Sequence, residues 1–129
     1  MDIDWARRCC LQFPHATETV QWESLVFKIG GKMFAVAPLE PGEACLSFKC
    51  SPEEFAELVE RPGIIPAPYL ARAQWIALER EDALPPAEVK RLLRQAYDLV
   101  RARLPKKVQA ELGAPRAASA RPLPARRSR

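Results

Sequence analysis

The residues able to carry chemistry in this 129-residue chain are few in kind. Nucleophilic catalysis needs a nucleophile, a base and a group that orients the base. His15 is the one histidine, so it would have to serve every histidine-based arrangement. Cys10, the cysteine that could partner it, falls on an apolar helix stripe. No G-x-S-x-G, phosphate-loop or dinucleotide fingerprint occurs. A zinc site needs about four nitrogen or sulfur ligands at recognisable spacing. The four cysteines, Cys9, Cys10, Cys45 and Cys50, form no C-x-x-C pair. The expectation is a protein without catalysis, metal or cofactor, whose thiols are reduced and mostly buried.

Positive charge is the remaining chemistry. The chain carries a formal net charge of +4. Residues 113–129 contain five arginines, Arg116, Arg121, Arg126, Arg127 and Arg129, and no acid. Residues 1–112 therefore hold fifteen basic residues against sixteen acids, close to neutral. Within that body, Lys28 and Lys32 flank Gly30-Gly31. Lys90, Arg94 and Arg101 share one side of a helical segment with Asp98, which reads as a solvated, salt-bridged face. Tyr69, Trp75 and Trp22 could stack on bases or pack against the core.

These side chains need elements to hold them. Ile3, Ala6, Cys10 and Phe13 draw one apolar stripe and predict a helix over 3–13, ended by Pro14. A strand is expected over 17–22, with Val20 and Trp22 on one face. Residues 25–29 and 32–36 read as a hairpin around Gly30-Gly31, since glycine accepts the positive φ of a type I′ turn. Even pairing across that turn sets Phe27 opposite Phe34. It turns Leu25 and Val36 to the core, and Val26, Lys28, Met33 and Ala35 to the other side. A further strand is expected over 44–49. Ser51, Pro52 and Glu54 form a capping box opening a helix, with Cys50 and Phe55 as its hydrophobic staple. Residues 62–68 read as a loop, 75–78 as a short strand, and 85–104 as the longest helix. A short turn follows over 108–112. Residues 113–129, rich in Arg, Pro and Ala, cannot build a core and are expected to be disordered.

The order is helix, four strands, helix, strand, helix. This predicts an α+β fold: an antiparallel sheet of about five strands with helices on one face. The body is a single domain over 1–112. No apolar run approaches the ~18–20 residues of a membrane span. The acidic opening Met1-Asp2-Ile3-Asp4 is unlike a secretory leader. A cytoplasmic protein without membrane association is expected.

Four segments in order resemble the MmcQ/YjbR family. They are Phe13-Pro14-His15-Ala16-Thr17-Glu18 continuing through the Gly30-Gly31 hairpin, Leu46 to Phe55, Pro62 to Arg72 followed by Trp75-Ile76, and the long helix ending Leu104-Pro105-Lys106-Lys107. The resemblance implies a CyaY-like fold, similar to bacterial frataxin. It also implies DNA binding through a double-wing arrangement of hairpins, and no transferable enzymatic reaction. The family-matching basic residues are Lys28, Lys32, Lys49, Arg72, Lys106 and Lys107, which would contact phosphates. Iron binding of the frataxin type uses clustered acids on the first helix. Here only Asp2 and Asp4 stand there, so it does not carry over. His15 occupies a position where the family commonly has glycine, which speaks against a tight turn there. The alternative to DNA is a protein partner docked on the sheet face away from the helices, through Val26, Met33 and their neighbours.

Overall fold

Gly30 and Gly31 take φ of 59° and 83°, and the expected hairpin forms around them. In the computed structural model, which describes residues 2–40, 44–68 and 70–113, its strands are β2 (Ser24–Ile29) and β3 (Lys32–Pro38). Before them come α1 (Ile3–Leu11) and β1 (Thr17–Gln21); after them come β4 (Leu46–Lys49), α2 (Pro52–Leu58) and β5 (Ile64–Pro66). A 3-10 turn (Ala71–Ala73) then leads to β6 (Trp75–Leu78), α3 (Pro86–Ala102) and α4 (Lys106–Leu112). The strands make one antiparallel sheet of six, in the order β1-β2-β3-β4-β6-β5. The fold is α+β, with one strand more than expected. The extra strand is β5, whose Ile64, Ile65 and Pro66 pair with Leu78, Ala77 and Ile76. An edge strand accommodates Pro66, because the missing N–H is not needed on the outer side.

The hairpin register starts as expected, with Ile29 opposite Lys32 and Lys28 opposite Met33. It then shifts. Phe34 is an extra residue, and Phe27 pairs with Ala35. This bulge turns both Phe34 and Ala35 toward the helices and sends Val36 to the other side, opposite Val26. A one-residue slip flips every later side chain, so Val36 and Ala35 exchange their expected places. Phe27 and Phe34 are both fully buried.

The helices cover one sheet face. Val89, Leu92, Leu93, Ala96 and Val100 of α3, with Leu104 beyond it, pack on Phe27, Ile29, Leu46, Phe48 and Ile76. Phe13, Phe34 and Tyr97 stack with ring centroids 5.0–6.0 Å apart, and the Tyr97 hydroxyl donates to the Pro14 carbonyl at 2.6 Å. The α1 stripe is buried as expected at Ala6 and Cys10, and Cys9 joins it. Cys50 is buried, while Cys45 is half-buried and its Sγ donates to the Leu78 carbonyl. Burial pushes the Cys50 thiol up to about 12 and the others upward too, so all four stay protonated at neutral pH.

Ser51 caps α2, its Oγ accepting from the Glu54 N–H at 3.1 Å. The reciprocal half of the box is replaced. The Ser51 N–H donates to Gln95 Oε1, and the Glu54 carboxylate accepts from Arg91. The expected salt-bridged face of α3 holds at Arg94 and Asp98, 3.2 Å apart. Arg101 departs from it. It is 7% exposed, and its guanidinium donates to the Gly113 carbonyl at 2.6 Å, tying the end of α4 to α3. Residues 114–129, with their expected disorder, lie outside the described residues, as do 41–43 and Tyr69. Among the described residues no helix is long and apolar enough to cross a membrane.

Candidate functional site

The hairpin tip is seated against the α3–α4 elbow. A methyl group on Gly30 would lie 2.5 Å from Leu104 Cδ1 and 3.2 Å from Val108 Cγ1. A side chain there would have to displace Leu104 and Val108 as well as adopt a positive φ, which favours glycine on both counts. This places Lys32, two residues beyond Gly30, at the same end of the sheet as Lys106 and Lys107, which open α4. Both lysines are exposed in a first turn that contains no acid. Helix termini of that polarity favour acids, so the two lysines stand there against local stability.

The sheet register brings the other cations to this end. Lys28 is opposite Thr17 and Met33, half-buried on the face away from the helices. Lys49 closes β4 opposite Trp75, one residue past the Ala35–Phe48 pair and so toward Lys32. Its Nζ donates to the Ala73 carbonyl at 2.7 Å, which draws the exposed Arg72 of the 3-10 turn alongside. Burial, and then the charge of Arg103, pull the Lys49 ammonium below the usual lysine range. The structure thus gathers all six sequence-selected cations at one end and adds Arg103. The run Arg103-Leu104-Pro105-Lys106-Lys107 held that signal, because a cation next to a chain reversal sits beside those that follow it.

Ion pairs among the described residues involve Arg7, Arg61, Arg80, Arg91 and Arg94. None involves Lys28, Lys32, Lys49, Arg72, Arg103, Lys106 or Lys107. Seven cations with no carboxylate of the described residues within 4.0 Å define a surface whose counterions come from outside the fold.

The sheet face away from the helices is less open than expected. Ala67 and Leu70 lie over it, and with Trp75 they pack against Met33 and Val36. Val26 is fully buried and Trp75 is 4% exposed, so neither offers a docking patch or a stacking platform. The large exposed apolar side chains are Val20, Trp22 and Leu39, at the opposite end from the cations. Trp22 is not in a strand. With Glu23 it forms a second tight turn, both residues at positive φ (51° and 60°) between Gln21 and Ser24. His15 also takes positive φ, 64°, so the tight turn that its side chain argued against does form. Among the described residues no group of three or more His, Cys, Asp or Glu side chains is placed to hold a metal ion.

An open antiparallel sheet with one helical layer, carrying a group of basic residues at one end, defines an α+β protein. The chain belongs to the YjbR family, whose model matches residues 11–99. It is similar to the crystal structure of Deinococcus radiodurans protein DR2400, a DUF419 domain. That match has 31% identity over 88% of this chain and 89% of the other, with a TM-score of 0.78. A Pseudomonas syringae protein, PsR293, shares the fold at 23% identity and a TM-score of 0.56, over 75% of this chain and 93% of its own. No curated protein matches the chain.

Proposed function

We propose that this chain is a cytoplasmic DNA-binding protein that grips backbone phosphates with its basic end and catalyses no reaction. The observation that carries the reading is the group of seven cations with no carboxylate of the described residues within 4.0 Å, gathered at one end of a body whose total charge is close to neutral. Phosphates would supply the missing counter-charge, and each contact releases condensed cations from DNA. Lys28, Lys32 and Arg103 border the tip and elbow, Lys49 and Arg72 the covering turn, and Lys106 and Lys107 the α4 entrance. The arrangement has no stacking aromatic among its described residues, since Trp75 is buried and Trp22 lies at the far end. Binding of this kind reads charge and backbone spacing rather than base sequence.

Five arginines in residues 114–129 will attract any polyanion, so the test must separate tail from fold. The full-length chain is made with Arg116, Arg121, Arg126, Arg127 and Arg129 all changed to Gln. Duplex DNA should still bind this variant, with log affinity falling against log salt by about 0.9 per phosphate contact. Adding Lys28→Glu and Lys32→Glu should abolish the residual binding and leave the melting temperature nearly unchanged. Loss of all binding with the tail changes alone, and no effect of the hairpin changes, would sink the reading.

A further inference from the structure

At the end of the sheet opposite the cations, the structure leaves an apolar groove of about 460 Å³ between α1, the end of β3 and the end of β6. Ile3, Ala6, Leu39 and Leu46 contribute its apolar lining. Asp2, Glu40, Glu79 and Glu81 contribute the acidic part, and Arg80, which also lines the groove, is held by Asp82 at 2.9 Å. The Leu39 N–H donates to the Glu23 carbonyl at 3.1 Å, so the turn bearing Trp22 stands beside the groove. Trp22 is 71% exposed. An apolar channel with acidic sides and an exposed indole nearby suits an extended, proline-containing, arginine-flanked peptide.

The chain contains such a peptide. Residues 121–127 read Arg-Pro-Leu-Pro-Ala-Arg-Arg, an apolar centre with guanidinium groups on both sides. No acid occurs anywhere in residues 114–129. The reach is sufficient. The tail departs from Gly113, which Arg101 ties beside the basic end. Seven-residue β3 spans the sheet in ~23 Å at about 3.3 Å per residue. Leu123, ten residues past Gly113, extends ~31 Å at about 3.1 Å per residue in a polyproline II path. We propose that residues 121–127 dock in this groove of the same chain, Leu123 and its flanking prolines on the apolar lining and the arginines against Glu40 and Glu79. Attachment through a short linker raises the effective concentration of the segment, so modest contacts suffice. The docking site shares no residue with the basic end, so its failure and that of the DNA reading are separate outcomes.

The test is nuclear magnetic resonance on the full-length, nitrogen-15-labelled chain. In the parent, the amides of Ala125 and Arg126 should give raised heteronuclear NOE values. Those values should fall to unfolded-chain levels in Leu123→Asp, in Glu40→Lys with Glu79→Lys, and at high salt. Leu123→Asp should also shift the amides of Leu39 and Leu46 while leaving Leu92 and Phe27 in place, which shows that the core is intact. Tenfold dilution should change none of this. Unfolded-chain values for Ala125 and Arg126 in the parent, with Leu39 and Leu46 unmoved by Leu123→Asp, overturn the proposal. Loss of the shifts on dilution would place the tail in a second copy and equally overturn docking within one chain.

Discussion

Gly30 and Gly31 are adjacent glycines with different duties. Both take left-handed φ, which costs other residues about 1–2 kcal/mol. Only Gly30 is also crowded, by Leu104 and Val108, while a methyl on Gly31 would meet nothing within 4 Å. Gly30→Ala should therefore lower stability clearly more than Gly31→Ala in urea denaturation. Equal losses would show that α4 does not rest on the hairpin tip, and with it the placement of Lys106 and Lys107 beside Lys32 would fail. Glu18 offers a pH-dependent check on the opposite sheet edge. Its carboxylate accepts from Arg7 at 2.7 and 2.8 Å, which holds it below the usual carboxylate range. A carboxyl with a depressed folded-state value contributes stability that is fully present above its unfolded value. That contribution is lost as pH falls through the folded one. Glu18→Gln should lower the melting temperature slightly at neutral pH, and the difference from the parent should vanish in acid. A difference that persists in acid would mean that Glu18 acts by packing rather than by charge.

The hairpins show what an element's local sequence does and does not announce. Gly30-Gly31 declared its turn because glycine is the residue that positive φ favours. Trp22-Glu23 adopts the same kind of turn with residues that disfavour it, so residues 17–22 read as an uninterrupted strand. Replacing the pair by Asn-Gly, the preferred type I′ sequence, should stabilise the protein by about 1–2 kcal/mol, read as a higher urea midpoint. A lower midpoint would show that the Trp22 side chain contributes more by contact than its exposed position suggests. Other elements were legible for plain reasons. The α3 stripe of Val89, Leu92, Leu93, Ala96 and Val100 is buried at every position. The Ser51 cap forms as its sequence signals. The departures come from partners distant in sequence. Phe34 bulges because the sheet must turn two consecutive residues inward. Residues 64–66 become a strand because β6 is there to pair with. Arg101 is buried because Gly113 receives it. The basic end belongs to the same class: six of its cations stood out by type and resemblance, but their meeting depends on the elbow touching the tip.

At the scale of the whole molecule, charge is separated rather than balanced. The near-neutral total of residues 1–112 taken alone argues against a nucleic-acid surface. It averages a cationic end, at the Gly30-Gly31 tip and the α4 entrance, with an acidic end at Glu23, Glu40, Glu79 and Glu81. A field of this kind orients the molecule before contact, with the tip leading toward a polyanion. Net charge and charge placement make different forecasts, and two variants of equal charge separate them. Lys106→Gln with Lys107→Gln removes two cations from the basic end. Arg61→Gln with Arg91→Gln removes two that are already paired, with Glu88 and Glu54. If placement governs binding, the lysine pair should flatten the salt slope for duplex DNA by about 0.9 for each phosphate no longer gripped, and the arginine pair should leave it unchanged. Both changes are on the exposed surface, so neither should disturb the core, and circular dichroism on the same samples checks that. Equal flattening by the two pairs would mean that the body acts only through its total charge, and the basic end would lose its standing as a site.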